Sequence, residues 1–139
     1  MLNVVLDTNV LYSAMRSQTG ASFKLLSLLG EDTYEISISV PLIVEYEDAL
    51  MRLVGSGRLR KIDIDAVLDF ICAQAHHQSI YFLWRPMLRD PKDDHVAEVA
   101  VAAGFSAIVT YNLKDFKSLE QFGLRVITPA VFLKEIGEI

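Results

Sequence analysis

Leu2-Asn3-Val4-Val5-Leu6-Asp7-Thr8-Asn9 is the stretch on which the fold class of this chain turns. The apolar run from Leu2 to Leu6 reads as a buried first strand, and Asp7, Thr8 and Asn9 stand where that strand leaves the sheet. In open α/β sheets that edge is where ligands and chemistry gather. Acidic residues recur downstream at Glu45, Asp93-Asp94 and Asp115, each near a helix start or in a loop after a strand.

Working outward, residues 23–29 have helical apolar spacing, with Ser22 as the N-cap and Gly30 as the stop. Residues 34–39 alternate polar and apolar, which predicts a short, partly exposed second strand. Pro41 opens a helix that runs to about Val54, where Gly55-Ser56-Gly57 breaks it. Asp63 or Asp65 caps the next helix, whose apolar face holds Val67, Leu68, Ile71 and Ala75 and whose end is His76-His77. Ile80-Tyr81-Phe82-Leu83 reads as strand three, and Arg89-Asp90-Pro91-Lys92 as a loop. Asp93 or Asp94 starts a helix through Val96, Val99, Ala100 and Ala103 to Gly104. Residues 107–110 form strand four, 112–116 a loop or short turn, 119–122 a short helix and 125–128 strand five, and Pro129 starts the last helix. Such alternation favours a parallel sheet with helices on both faces.

The 139 residues suit one domain, and a 52% apolar fraction supports a substantial core. No apolar run approaches the roughly 20 residues of a membrane span. The N-terminus lacks the basic segment of a signal peptide, so a cytoplasmic protein with no membrane partner is expected. Cys72 is the only cysteine, which excludes an internal disulfide and a cysteine-rich zinc site. A net charge of −5 argues against strong nonspecific binding of duplex DNA.

In a parallel α/β fold, residues after strands and at helix starts share one rim. Carboxylates gathered there repel one another, and a hard divalent cation relieves the repulsion. Mg²⁺ or Mn²⁺ in such a cleft can polarise a phosphodiester and help generate hydroxide from water. Thr8, Asn9 and Asn112 could orient ligands or coordinated waters. Taken singly, each acid also has a plain reading: Asp7 as a turn residue, Glu45 as a solvated charge, Asp93-Asp94 as helix caps, Asp115 as the cap of a short turn.

Four motifs in order resemble the PIN-domain nucleases and, within them, the VapC-like toxin branch. They are Val4-Val5-Leu6-Asp7-Thr8-Asn9-Val10, Glu45 in the helix after strand two, Asp90-Pro91-Lys92-Asp93-Asp94-His95, and Val109-Thr110-Tyr111-Asn112-Leu113-Lys114-Asp115-Phe116. The resemblance spans almost the whole chain. It implies one three-layer α/β/α PIN-like domain over residues 1–139 with a central four- to five-stranded parallel sheet. It further implies a metal-dependent endoribonuclease, usually a homodimer, often the toxin held inactive by a small antitoxin. By motif, Asp7 and one of Asp93 or Asp94 are the principal metal ligands, and Glu45 completes the acidic set. Asp115 with Asn112 supplies the fourth position, where many relatives carry an acid at Asn112. Substrate contacts fall to Thr8, Asn9, Thr110 and Asn112.

Other residues carry weaker signals. His95 could meet phosphate when protonated, and Tyr46 or Tyr111 could stack on a base, although core packing suits them as well. Arg52, Arg58, Arg60 and Lys61 form the main basic stretch, able to grip RNA phosphates outside the cleft, to bind an acidic partner or simply to form a solvated face. Two competing functions are an aspartyl phosphotransferase with Asp7 as nucleophile and a non-catalytic RNA-binding or dimerisation module. Asn9 weakens the first, because the haloacid-dehalogenase group carries a second Asp at that position.

Overall fold

The strands β1 (Asn3–Leu6), β2 (Glu35–Ile38), β3 (His76–His77), β4 (Ala107–Val109) and β5 (Val126–Ile127) form one parallel sheet in the order β3-β2-β1-β4-β5. This is a computed structural model that describes residues 2–80, 91–104 and 106–138, apart from the side chains of residues 91 and 92. The helices are α1 (Thr8–Arg16), α2 (Ala21–Ser27), α3 (Val40–Gly55), α4 (Lys61–Gln74), α5 (Pro91–Ala102), α6 (Leu113–Phe116) and α7 (Pro129–Glu135). A 3₁₀ turn, Lys117–Phe122, ends at Gly123, whose φ of 88° lies in the left-handed region that glycine adopts without strain. The layered α/β/α architecture with a parallel sheet is the expected one.

The strand order matters for function. From β1 the chain steps to β2 and β3 on one side, then returns to lay β4 against the other side of β1. The carboxyl end of β1 is therefore a switch point, where neighbouring connections leave in opposite directions and open a crevice. Leu6 pairs with Val109, so Asp7 and Thr110 emerge side by side. At the opposite end, Asn3 Oδ1 accepts hydrogen bonds from Ser37 Oγ (2.7 Å) and Ser106 Oγ (3.1 Å), tying β1 to its flanking chains.

Val4, Val5, Leu6, Ile36, Ile38, Ile108 and Val109 are buried because helices cover the sheet. Helix α5 packs on β1, β2 and β4, α4 on β2, and α1 against α2 and α3. Tyr34 closes the core near α7: its ring meets Phe132 edge-on at 5.4 Å, and its hydroxyl donates to Leu25 O at 2.6 Å. Among the described residues no helix is long and apolar enough to cross a membrane.

Several local expectations change. Helix α1, which was not expected, starts directly after β1, with Val10, Leu11 and Ala14 at helical spacing on its buried face. Helix α2 begins earlier than expected, with Gly20 at its N-cap position, so Ser22 is a buried residue inside the helix. Strand β2 is more buried than expected, because α4 and α5 both pack on it. His76-His77 is a strand rather than a helix end: Ala75 is already extended, and the histidines pair with Ser37 and Ile38. Ile80 lies outside any strand, and the rest of the expected third strand, 81–83, lies outside the described residues. Neither Asp63 nor Asp65 is the N-cap of α4; Arg60 holds that position, and Asp63 Oδ2 accepts its backbone N–H at 3.0 Å. Pro91 and Lys92, expected in a loop, belong to α5.

Candidate active site at the carboxyl edge of the sheet

Asp7 is at once the end of β1, the cap of α1 and the centre of a hydrogen-bond node. Its backbone N–H extends the ladder to Val109 O at 2.9 Å. Its Oδ1 accepts the N–H of Thr8 at 2.8 Å, satisfying one of the orphan donors of the first helical turn. Its Oδ2 accepts the hydroxyl of Thr110 at 2.7 Å. Thr110 Oγ1 in turn accepts the N–H of Asn112 at 2.9 Å and the side-chain amide of Asn9 at 3.5 Å. Asn9 Oδ1 accepts the N–H of Tyr111 at 3.4 Å. The two polar motifs after β1 and β4 thus knit into one network.

Behind it, Tyr46 of α3 is core: its ring is buried and its hydroxyl donates to Leu6 O at 2.5 Å. Burial raises that phenol above its ordinary value of 10.0, so it stays a neutral donor. Tyr111 is half exposed and its hydroxyl is hydrogen-bonded to Ser22 Oγ.

In front of the network lies a cleft of about 400 Å³. Asp7, Glu45, Asp48 and Asp93 form its acidic wall, and Thr8, Asn9 and Asn112 supply neutral polar groups. Tyr12 and Arg52 line it further along. Of the expected residues, Asp7, Glu45, Asp93, Thr8, Asn9 and Asn112 are brought together, from β1, α1, α3, α5 and the segment after β4. The doublet on α5 is divided, since Asp93 lines the cleft and Asp94 is 1% exposed and does not. Asp115 is exposed and outside the lining, yet close enough for its charge to act on Asp7. Thr110 is fully buried, so it meets the cleft through Asp7 rather than through a ligand.

His95 stands with Nδ1 3.2 Å from Glu45 Oε1, both side chains about one-fifth exposed. This is ion-pair distance for a protonated imidazole, without the alignment of a hydrogen bond. Its place is therefore beside Glu45, between α5 and α3. Arg52, expected outside the cleft, lines it, and Asp48 and Tyr12 line it without having been expected there. Their signal was helical spacing: Glu45, Asp48 and Arg52 share one face of α3, and Thr8, Asn9, Tyr12 and Arg16 one face of α1.

The Asp7 carboxyl has a pKa raised above its ordinary 3.8. Burial is the main cause, the hydrogen bonds from Thr110 and Thr8 oppose it, and the charges of Asp115 and Glu45 add to it. The folded protein thus holds this proton more tightly than the unfolded chain, so the metal-free fold loses stability as pH rises from 3.8 through the folded value. Asp7→Asn lacks that loss. In chemical denaturation without divalent ions, its stability relative to wild type is expected to increase as pH rises through that window and level off above it. Parallel stability curves for the two proteins would show that the carboxyl is not strained.

The donor set suits a hard divalent cation: it is all oxygen, anionic, and relieved by positive charge. Among the described residues no three Asp, Glu, His or Cys side chains close on one point, so the carboxylates share a cleft without forming a finished cage.

Comparison with known proteins agrees with this architecture. A PIN-domain family model matches residues 3–114. No curated protein matches. Among solved structures, VapBC2 from Rickettsia felis, bound to a DNA fragment from its promoter, is similar at a TM-score of 0.61 and 18% identity, covering 91% of this chain and 98% of that one. DNA-bound VapBC from Salmonella typhimurium is similar at a TM-score of 0.57 and 18% identity, covering 93% and 99%. FitAB bound to the IR36 DNA fragment is similar at 0.55 and 18%, covering 91% and 94%. The family model covers the strands and helices that carry Asp7, Glu45, Asp93 and Asn112, and the chain belongs to the PIN-domain family.

Proposed function

We propose that this protein is a Mg²⁺- or Mn²⁺-dependent endoribonuclease and the toxin of a toxin–antitoxin pair. The observation that carries the reading is that Asp7, Glu45 and Asp93, from three separate elements, line one cleft at the switch point of a PIN-domain sheet. Asp7, Glu45 and Asp93 hold the ion, with Asp94 as the other candidate for the third position. Asp115 and Asn112 serve the fourth. When bound, the ion supplies a Lewis acid for the phosphodiester and a lowered pKa for the attacking water. The chain does the rest: Thr8, Asn9 and Asn112 orient the strand, a cleft carboxylate takes the proton of the water attacking in line, and Thr110 keeps Asp7 aimed.

The similar assemblies named VapBC and FitAB support an antitoxin partner for this chain, and a homodimer in the cytoplasm belongs to the same proposal. Purified protein is expected to cut single-stranded or structured RNA with millimolar Mg²⁺ or Mn²⁺ and to stop when EDTA is added. RNA left intact in both ions would count against the reading. The open arrangement of the acids and the amide at Asn112 favour one alternative, a non-catalytic PIN-fold module for RNA binding or dimerisation. Calorimetry separates the two: absence of binding at millimolar Mg²⁺ and Mn²⁺ favours the module.

A further inference from the structure

Two guanidinium groups share one aromatic ring beside the acids. Arg16, in the last turn of α1, lies 5.7 Å from the centre of the Tyr12 ring, and Arg52, in the last turn of α3, lies 5.8 Å from it. Tyr12 and Arg52 line the same cleft as Asp7, Glu45 and Asp93. Both arginines are exposed, and neither makes an ion pair among the described residues. This holds although Asp48, one turn before Arg52, faces the same cleft. Arg60 and Lys61, from the same basic stretch of sequence, are instead paired with Asp63 and Asp65.

A cation over a ring is held in place without losing its charge. Both guanidiniums keep their full charge at the Tyr12 ring, and neither is neutralised by a carboxylate partner among the described residues. A guanidinium offers a planar fork of donors that matches phosphate oxygens. In a chain of net charge −5, the cleft thus carries Arg52 and Tyr12 beside its acids, and Arg16 flanks it on the Tyr12 ring. A nucleic-acid strand needs both acids and cations, because the phosphate under attack has phosphates on either side of it.

We propose that Arg16 and Arg52, positioned on the Tyr12 ring, form a phosphate subsite that holds an RNA phosphodiester neighbouring the one being cut. The proposal rests on the ribonuclease reading above and extends it to the path of the strand. The subsite is independent of sequence, because phosphates carry no base information.

The test is binding of a fluorescent single-stranded RNA oligomer to the metal-free protein across a range of salt, with a DNA oligomer of the same sequence in parallel. Arg16→Gln with Arg52→Gln is expected to weaken RNA binding by about tenfold and to flatten the log–log salt dependence by about 0.7 for one lost phosphate contact. Arg16→Lys with Arg52→Lys keeps the charge and is expected to restore the salt slope, with only part of the affinity recovered. Both side chains are exposed, so unchanged thermal midpoints are expected in both variants. An equal loss on DNA supports the phosphate contact, which both strands offer. If wild type binds and cuts RNA and the glutamine variant keeps the same affinity and slope, the subsite is overturned and the ribonuclease reading stands. If wild type neither binds nor cuts RNA, that reading fails and takes the subsite with it. A loss seen only with a poly-glutamate peptide overturns the proposal in favour of an acidic protein segment.

Discussion

Asp7→Asn is expected to lower RNA cleavage by roughly 10³-fold in kcat/KM, about 4 kcal/mol of transition-state stabilisation, while the fold survives. The choice of asparagine follows from the geometry. Asp7 caps α1 through the N–H of Thr8 and accepts the hydroxyl of Thr110. Asparagine caps as well as aspartate does and still offers one acceptor oxygen. It also removes a buried negative charge that Glu45 and Asp115 oppose. Asp7→Ala, by contrast, leaves the helix uncapped and a buried hydroxyl without its acceptor, costing about 2–4 kcal/mol together. Loss of activity in the alanine variant would therefore mix chemistry with unfolding. Cleavage rates and a thermal melt on the same preparation decide the matter. An asparagine variant that keeps more than a tenth of the wild-type rate would show that cleavage occurs elsewhere or comes from a contaminant.

Thr110→Val is expected to cost about 2–4 kcal/mol of stability, because three hydrogen bonds at a fully buried hydroxyl are lost with no change of shape. The same substitution acts on the site. The hydroxyl favours ionised Asp7, so its removal raises that carboxyl further, and the acidic limb of the pH–rate profile is expected to move to higher pH. A fall in activity of about 10–100-fold is the scale for a group that orients a metal-binding carboxylate. Thr110→Ser keeps the hydroxyl and loses one methyl, so it should melt earlier and leave the pH limb where it is. Urea denaturation and pH–rate profiles of the three proteins separate the effects. A valine variant with the pH profile of wild type would show that Thr110 holds the fold without tuning Asp7.

Much of this molecule was legible in its residues. Helix α3 was readable from Pro41, the apolar spacing and Gly55-Ser56-Gly57, and β4 and β5 from short apolar runs bounded by turns. Helix α1 was not, although Val10, Leu11 and Ala14 carry its period. Its cap, Asp7, is also the most conspicuous acid, and a carboxylate that stops a strand and starts a helix has the same one-letter code in either role. Strand β3 misled for the opposite reason. His76-His77 has no apolar signal because both side chains are exposed on a short edge strand, where pairing with Ser37 and Ile38 rather than burial makes the strand.

The candidate site divides along the same line. Motif order alone picked out Asp7, Glu45, Asp93-Asp94 and Asn112. Choosing between the members of the doublet required the rotation of α5, which turns Asp93 toward the cleft and buries Asp94. Adjacent residues on a helix point about 100° apart, and the direction each takes depends on the surface the helix packs against. Arg52 was visible as one of four basic residues, but only the fold separates it from Arg60 and Lys61, which pair with Asp63 and Asp65 at the start of α4, and sets it beside Tyr12 and Arg16.

Local pattern in the chain was enough to determine most of the strands and helices, that the sheet is parallel, and which residue types are capable of chemistry, because periodicity and chain order carry that information, whereas α1 and β3 escaped it. The meeting of Asp7 with Thr110 across 103 positions, and the sharing of a cleft by Asp7, Glu45 and Asp93, were decided by the tertiary structure. The physical reason is the strand order: laying β4 beside β1 brings distant carboxyl-edge loops to one crevice, and no local property of either segment records that neighbour.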